Sequence, residues 1–439
     1  MLRLATTKAT PGMVLALPVL HPDKPDHLLL RPGVRLDGEI IGKLREMKVP
    51  RLWITYPPTD FLLKYASAAI LAEHGRIAAR VGEAFDAVTN GCHANLDFHV
   101  YTDAVRSLVE KLLNDPQAAI FVEGLLDTTQ PLMAHSANVC LLSLLMGLKL
   151  DGYLISERKA VSPRRAQNVE NLGVGALLHD IGMLRIDPAA AEKWYRDFDE
   201  HDISWRRHTL AGFEVVRGKI AATAAAVVLH HHQRMDGAGF PRRAKLWAAP
   251  RALMGHEIHI FSRIVAVADT FDRVRQSGIA RAARASDLVL ASAACPSVRA
   301  LNAVLTEVRA GRLDANVFRA LVSVAPAYPP GAIVELNDGR SCVVTGWNPV
   351  YPCSPTVRPL LPADAHTGEH ALGPTLDLTK QSSLAVVSMD GERTAGDNFH
   401  PRTPGEFDLR LLSGGITLDE DGESVHGRAW PQEARGVAA

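Results

Sequence analysis

Val174-Gly175-Ala176-Leu177-Leu178-His179-Asp180-Ile181-Gly182 places an adjacent histidine and aspartate at the end of an otherwise apolar run. A helix that is apolar all round is buried, so this one carries two polar groups into the interior. An imidazole and a carboxylate are costly to bury without partners. Working outward, the same pattern recurs. His135 precedes the apolar stretch Asn138 to Leu148, and His208 follows in the middle. The triplet His230-His231-His232 ends the run Ala221 to Leu229, and Asp269 ends Ile264 to Ala268. Half of the 18 histidines fall between His135 and His259.

Several apolar segments thus deliver imidazoles and carboxylates to one interior. Those groups are natural ligands of a divalent metal ion, and a carboxylate beside a histidine can bridge to a second. Two cations close together can hold a hydroxide and clamp a phosphodiester for in-line attack. A lone buried histidine is more often a satisfied core residue. So many polar groups concentrated on apolar helices favour a site instead.

The 439 residues suggest roughly three domains. With 47% hydrophobic and 22% charged residues, wholesale disorder and a collagen-like repeat are excluded. The 48 basic and 48 acidic residues cancel. A general binder of DNA, RNA polymer or membrane surface would carry a basic excess, so none of these is an expected partner. Cys92, Cys140, Cys295, Cys342 and Cys353 form no CxxC pair, which indicates a reducing compartment. The N-terminal residues hold no signal-peptide core. The most apolar run, Val139 to Leu150, contains Gly147 and Lys149 and reads as too short to span a bilayer. A cytoplasmic protein is expected.

The spacing predicts a multidomain, mainly α protein. Residues 1–58 read as a small α/β module, with strands at Met13 to Ala16, Leu28 to Leu30 and Arg51 to Ile54, and a helix from Asp37 to Met47. Residues 59–125 read as connecting helices, about Asp60 to Asn90 and His99 to Asn114, closed by Gly91 and Pro116. Such helices either join domains or make a homodimer. Residues 126–325 read as all-helical. Residues 326–413 read as a small β domain, with a hairpin at Ile333 to Val344 and another near Leu384 to Gly391. Residues 414–439 read as a disordered tail.

Three stretches together resemble the HD-GYP family, a branch of the HD phosphohydrolases that hydrolyses cyclic di-GMP. They are Val174 to Gly182 with His208 and Gly212, then His231-His232-Gln233-Arg234-Met235-Asp236-Gly237-Ala238-Gly239-Phe240-Pro241, then Arg263 to Asp272. The N-terminal module and the region around Tyr328-Pro329-Pro330-Gly331 resemble what often flanks such domains. The resemblance implies an all-helical HD-type domain binding two divalent ions, with iron or manganese favoured and zinc an alternative. His135, His179, Asp180 and Asp269 match ligands of one ion. Asp180 would bridge as the catalytic residue, and His208, His231 and His232 match ligands of the second. Distance to Asp236-Gly237 selects His231 and His232 from the triplet and leaves His230 structural. A third ion would use a glutamate where Pro131 stands, so two are expected. Asp272 would support the ligands from behind.

Cyclic di-GMP is the implied partner, opened to pGpG and in some cases on to GMP. Arg234, Asp236, Gly239, Phe240 and Pro241 are the candidate substrate contacts. Phe240 replaces the family tyrosine, and either faces a base or packs the loop. Arg234 either meets a phosphate or is solvated, while Asp236 and Gly237 shape the loop. The usual lysine after the His-Asp-Ile-Gly motif is Met183, and the glutamate after the histidine pair is Gln233. An expected Arg-Pro-Tyr is degraded to Gly278-Ile279-Ala280, with Arg281 a candidate survivor, and about ten extra residues follow the loop, near Ala244 to Leu253. An intact cage with an eroded substrate layer leaves two alternatives. One is a slow phosphodiesterase. The other is a domain that senses the dinucleotide or docks a partner without turnover.

Overall fold

Apolar stretches and turn residues set the order of elements in the computed structural model. It describes all residues except 50, 90–97, 115–130, 198, 246–247, 285–294, 362–370, 413–415, 419–423 and 427–439. The N-terminal module pairs β1 (Leu2–Ala5) with β4 (Arg51–Ile54), and β2 (Val19–His21) with β3 (Lys24–Leu30), both antiparallel. Helix α1 (Gly38–Glu46) begins where Asp37 accepts a hydrogen bond from the Ile40 amide. Such a cap is worth about 1 kcal/mol. Ile41 and Leu44 turn into a core with Leu15, Leu36 and Leu52. The expected strand at Met13 to Ala16 is reduced to isolated bridges, Val14 to Arg35 and Leu15 to Ile54.

The first long helix starts later than its periodicity suggests. Pro57 and Pro58 open a 3-10 turn over Pro57–Tyr65, and Ala66 is extended. Helix α2 therefore runs Ala68–Thr89. Leu63, counted on the helical face, is exposed. The second helix, α3 (His99–Asn114), has the expected bounds. Gly91, Cys92 and Pro116 lie outside the described residues. The apolar faces of α2 and α3 are buried within the chain, against α4 (Pro131–Lys149) and α7 (Glu170–Leu178).

Short helices α5 (Asp151–Glu157) and α6 (Pro163–Ala166) lead into α7. Beyond it come α8 (Pro188–Asp197), α9 (Ile203–Arg206), α10 (His208–Val216), α11 (Ala222–His230), α12 (Ile260–Arg284), α13 (Ser297–Arg309) and α14 (Ala315–Val324). Helices α4, α7, α11 and α12 pack on one another at the centre. The apolar window Leu132–Lys149 on α4 corrects the expected limit of Val139 to Leu150: by length and composition it could cross a membrane, and 83% of it is buried inside the protein. The region 126–325 is also not purely helical. Its inserted residues form β5 (Arg243–Lys245) and β6 (Ala248–Arg251), an antiparallel pair. An insertion that leaves and returns at one place closes readily as a ladder.

The C-terminal sheet has six strands in the order β10-β9-β8-β7-β11-β12. They are β7 (Ile333–Leu336), β8 (Ser341–Gly346), β9 (Thr356–Pro359), β10 (Leu376–Asp377), β11 (Val386–Met389) and β12 (Glu392–Arg393). Both expected hairpins are present. Asp390 and Gly391, at φ 53° and 93°, make the tight link between β11 and β12, as a two-residue turn requires. One apolar cluster runs unbroken from α2 through the helices into this sheet, joining Val81, Leu177, Phe271, Val334 and Val386. Within 414–439, expected to lack order, β13 (Ile416–Leu418) pairs with β14 (Ser424–His426). The rest of that span lies outside the described residues. Cys140, Cys295, Cys342 and Cys353 are buried and unpaired.

Candidate metal centre

Five elements each deliver one part of the site: four present their polar residues at or near a helix end, and the fifth carries Asp269 and Asp272 within its length. His135 lies on α4, and His179 closes α7 with Asp180 following. His208 opens α10, His231 closes α11 with His232 following, and Asp269 and Asp272 lie on α12. Glycines permit the tightest approach. A Cβ on Gly182 would strike the His208 carbonyl and the Gly212 nitrogen, so only glycine lets α10 lie against the turn after Asp180.

The seven proposed ligands fall into two groups. Ligand atoms of Asp180, His208, His231 and His232 all lie within 4.8 Å of one another, and so do those of His135, His179 and Asp269. Asp180 joins them. Its Oδ1 is 3.4 Å from His208 Nε2 and 3.5 Å from His231 Nε2. Its Oδ2 is 3.6 Å from His179 Nε2 and 3.8 Å from His135 Nε2. His135 Nε2 is 3.1 Å from Asp269 Oδ1.

The far side of each ring fixes which nitrogen faces inward. A carbonyl can only accept, so the nitrogen beside it carries the proton. His179 Nδ1 donates to Ala176 O at 2.7 Å, His208 Nδ1 to Trp205 O at 2.7 Å, and His231 Nδ1 to Val228 O at 3.0 Å. His135 Nδ1 meets Asp272 Oδ2 at 2.7 Å, and Asn138 Nδ2 donates to the other Asp272 oxygen at 3.1 Å. Asp272 therefore orients a ligand from behind. The unprotonated Nε2 atoms of His179, His208 and His231 converge on the centre. Those of His208 and His231 are only 3.2 Å apart, where two lone pairs repel unless a cation lies beside both. His179 Nε2 and Asp269 Oδ2 are buried with no hydrogen-bond partner, and His135 Nε2 has only its ion-pair contacts with Asp269 and Asp180. Buried polar atoms without partners are rare, and this donor set fits divalent ions.

The electrostatics agree. Burial pushes His179 and His208 down to about 4 and His232 well below its usual value. These rings are neutral at pH 7, the form in which an imidazole can bind a metal ion. Burial also pushes His135 down, but Asp269 and Asp272 outweigh it and raise it to about 10. Two carboxylates there call for a positive charge, whether a proton or a metal ion. Burial would raise Asp269, yet Arg273 and His135 hold it at about 2. Asp180 is likewise held well below its usual value, against burial, by His179, His231 and His208.

The candidate substrate loop is placed beside the cage. Phe240 stacks on His232, with ring centroids 4.7 Å apart, and the Arg206 guanidinium lies 4.8 Å from its ring. Arg234 and Asp236 are paired with each other, and Asp236 accepts from the Ala238 amide at 2.9 Å. A Cβ on Gly239 would collide with the Arg234 nitrogen and the His232 carbonyl. Pro241 O accepts from Gln233 Nε2 at 2.7 Å, and Gln233 Oε1 accepts from the Leu253 amide. Gln233 thus ties the loop to the insertion. Met183 is 4% exposed, packed with Trp194 and Trp205. His230 is buried outside both ligand groups.

Sequence reasoning passed over Arg273. It lies one turn beyond Asp269, with Nε 2.9 Å from Asp269 Oδ1. Its spacing of four from a ligand was the available signal.

Residues 155–293 match the HD domain family, and residues 333–397 match the KOW domain associated with HD domain. The cyclic di-GMP phosphodiesterase PA4108 of Pseudomonas aeruginosa is 27% identical over 292 residues, covering 63% of this chain and 58% of that protein. The chain thus spans little more than half of that relative's length. The 3'3'-cGAMP-specific phosphodiesterase 1 of Vibrio cholerae is 28% identical over 162 residues, covering 36% of this chain and 32% of that protein. Among solved structures, Bd1817, a HDG"Y"P protein from Bdellovibrio bacteriovorus, aligns with a TM-score of 0.41 at 18% identity, over 73% of this chain and 97% of that one.

Proposed function

We propose that the chain is an HD-GYP-type, metal-dependent phosphodiesterase that opens cyclic di-GMP to linear pGpG. One observation carries the reading: Asp180 stands between two groups of inward-facing ligand atoms, with one carboxylate oxygen toward each. His208, His231 and His232 with Asp180 Oδ1 would hold one ion, and His135, His179 and Asp269 with Asp180 Oδ2 the other. Two divalent ions there, iron or manganese before zinc, supply Lewis acidity and a nucleophile at neutral pH.

The chain's own residues do the positioning. Asp272 and Asn138 lock the His135 ring, and three backbone carbonyls lock His179, His208 and His231. Fixed ligands need no reorganisation when charge develops on the phosphate. Phe240 covers His232 with an apolar face and limits water on that side. Water is added across one phosphodiester, leaving a phosphomonoester and a free hydroxyl. The second reading, a sensor without turnover, is favoured by Met183, which brings an apolar side chain where the resemblance expects a lysine.

Single-turnover hydrolysis by purified, metal-analysed protein separates the two, with cyclic di-GMP and 3'3'-cGAMP run in parallel. Conversion of cyclic di-GMP to pGpG supports the enzyme. Tight binding with no product supports the sensor.

A further inference from the structure

We propose that Arg273 receives a phosphate oxygen of the substrate, and that Glu200 occupies this arginine until the substrate arrives. The inference rests on the phosphodiesterase reading above. A phosphodiester under attack gathers negative charge, and a fixed cation beside it stabilises that charge. The position that would supply one by resemblance, Met183, is walled in by Trp194 and Trp205. Trp194 stacks on Trp205 with ring centroids 3.7 Å apart, and it also carries the Arg273 guanidinium 5.6 Å from its ring. Met183 and Arg273 therefore meet the same tryptophan. The charge missing at 183 is returned to this cluster from α12.

Arg273 has the geometry of a clamp. Its side chain is 16% exposed, and its Nε lies 2.9 Å from Asp269 Oδ1, an ion-pair contact without hydrogen-bond alignment. Its NH1 donates to Glu200 Oε1 at 2.9 Å, and the Glu200 side chain is 53% exposed. One end of the guanidinium is thus fixed at a metal ligand, while the other holds a carboxylate that reaches in from solvent. An exposed carboxylate contributes little to such a pair. A phosphodiester, with one negative charge shared over two free oxygens, suits the guanidinium fork at least as well. The Glu200 main chain is held separately, because Arg206 Nε donates to its carbonyl at 2.6 Å. The carboxylate can swing away without its loop leaving.

Equilibrium binding of cyclic di-GMP and of pGpG to the full metal-loaded chain tests this, with metal content measured on the same samples. Arg273→Gln should bind both at least about tenfold more weakly with its metal retained, since a charge-assisted contact is lost. Arg273→Lys should recover part of that loss. Glu200→Gln should act in the opposite direction and tighten binding about threefold or more, because the competing anion is gone. A structural role for the pair predicts weaker binding from both changes. If Arg273→Gln loses metal, Glu200→Gln decides: tightening supports the clamp, and unchanged or weaker binding overturns it. Wild-type affinity in Arg273→Gln overturns the inference and leaves the phosphodiesterase reading standing. A metal-loaded wild-type chain that neither binds nor cleaves cyclic di-GMP overturns both.

Discussion

The metal cage and the loop that follows it are neighbours in sequence, His231 and His232 in one and Arg234 to Pro241 in the other, yet they are built differently. The cage draws candidate ligands from five elements, and four of its five rings are tied from behind to backbone or to Asp272. The loop pairs Arg234 with Asp236 and Gln233 with Pro241 close in sequence, and reaches outward mainly through Gln233 to the Leu253 amide and through the Met235 backbone. Fixed geometry among distant segments tolerates little change, because one altered residue disturbs all of its partners. A recognition layer with local contacts can be rewritten residue by residue. That difference accounts for a complete set of candidate ligands beside altered positions at Gln233 and Phe240.

The harshest test breaks the cage at its shared member. Asp180→Ala removes the carboxylate that both ligand groups face. Bound metal should fall from close to two ions per chain to less than one, and hydrolysis should fall to background. Elemental analysis beside the activity assay reads both. Two ions retained in a folded Asp180→Ala chain would refute the bridge.

Met183→Lys asks whether position 183 belongs to the substrate layer or to the packing beneath it. The sequence alone suggests that a lysine there restores a phosphate contact and speeds turnover. The structure gives Met183 an apolar setting against Trp194 and Trp205 instead. An ammonium buried there has no carboxylate among those neighbours. Melting should report a loss of about 2–4 kcal/mol, the scale of a buried unpaired charge, without faster turnover. A stable and faster variant would return position 183 to the substrate layer.

These positions also show where the sequence was legible. His135, His179, Asp180, His208, His231, His232 and Asp269 interrupt apolar runs, so their burial could be read directly, and the structure brings all seven together. The hairpin at Ile333 to Val344 was readable from its Asn337-Asp338-Gly339 turn. Met183 was not, because an apolar residue in a motif reads equally as a missing contact or as core. Arg273 was not, because an arginine near the end of a motif looks solvated until α12 is seen to turn it toward Asp269 and Trp194. The late start of α2 was hidden because Leu63 and Ala66 continue its period across a turn opened by prolines.

Acid should separate the two regions more mildly. Burial holds His179 and His208 at about 4, and His74 on α2 at about 4 as well, against the pull of the Ala137 carbonyl and Asp272. The unfolded chain accepts these protons near 6.5. The folded chain refuses them, so stability is lost as pH falls from about 6.5 toward 4. Each ring should cost on the order of 2 kcal/mol between pH 7 and pH 5. In the loop, burial raises Asp236 but its hydrogen bond with Arg234 wins and holds it below its usual value, so that pair stays charged across this window. Denaturant midpoints at the two pH values measure the loss, and His74→Phe should reduce it without removing a ligand. An unchanged pH dependence in that variant would show that His74 is not held neutral.

The smallest expected effect comes from Phe240→Tyr, which restores the family tyrosine. If Phe240 acts through its ring, the hydroxyl changes little. The ring lies 4.7 Å from His232 at an interplanar angle of 23°, with Trp205 edge-on at 5.6 Å and the Arg206 guanidinium at 4.8 Å. A tyrosine ring makes the same contacts, so kcat and KM for cyclic di-GMP should each change by less than about threefold. Phe240→Ala should do more, because aromatic pairs contribute about 0.5–1.5 kcal/mol beyond their burial and His232 would lose its cover. A large gain from Phe240→Tyr with the same melting temperature would mean that the hydroxyl reaches the substrate. Phe240 would then be a recognition position weakened by one oxygen atom, and the loop would depend on particular chemistry as the cage does.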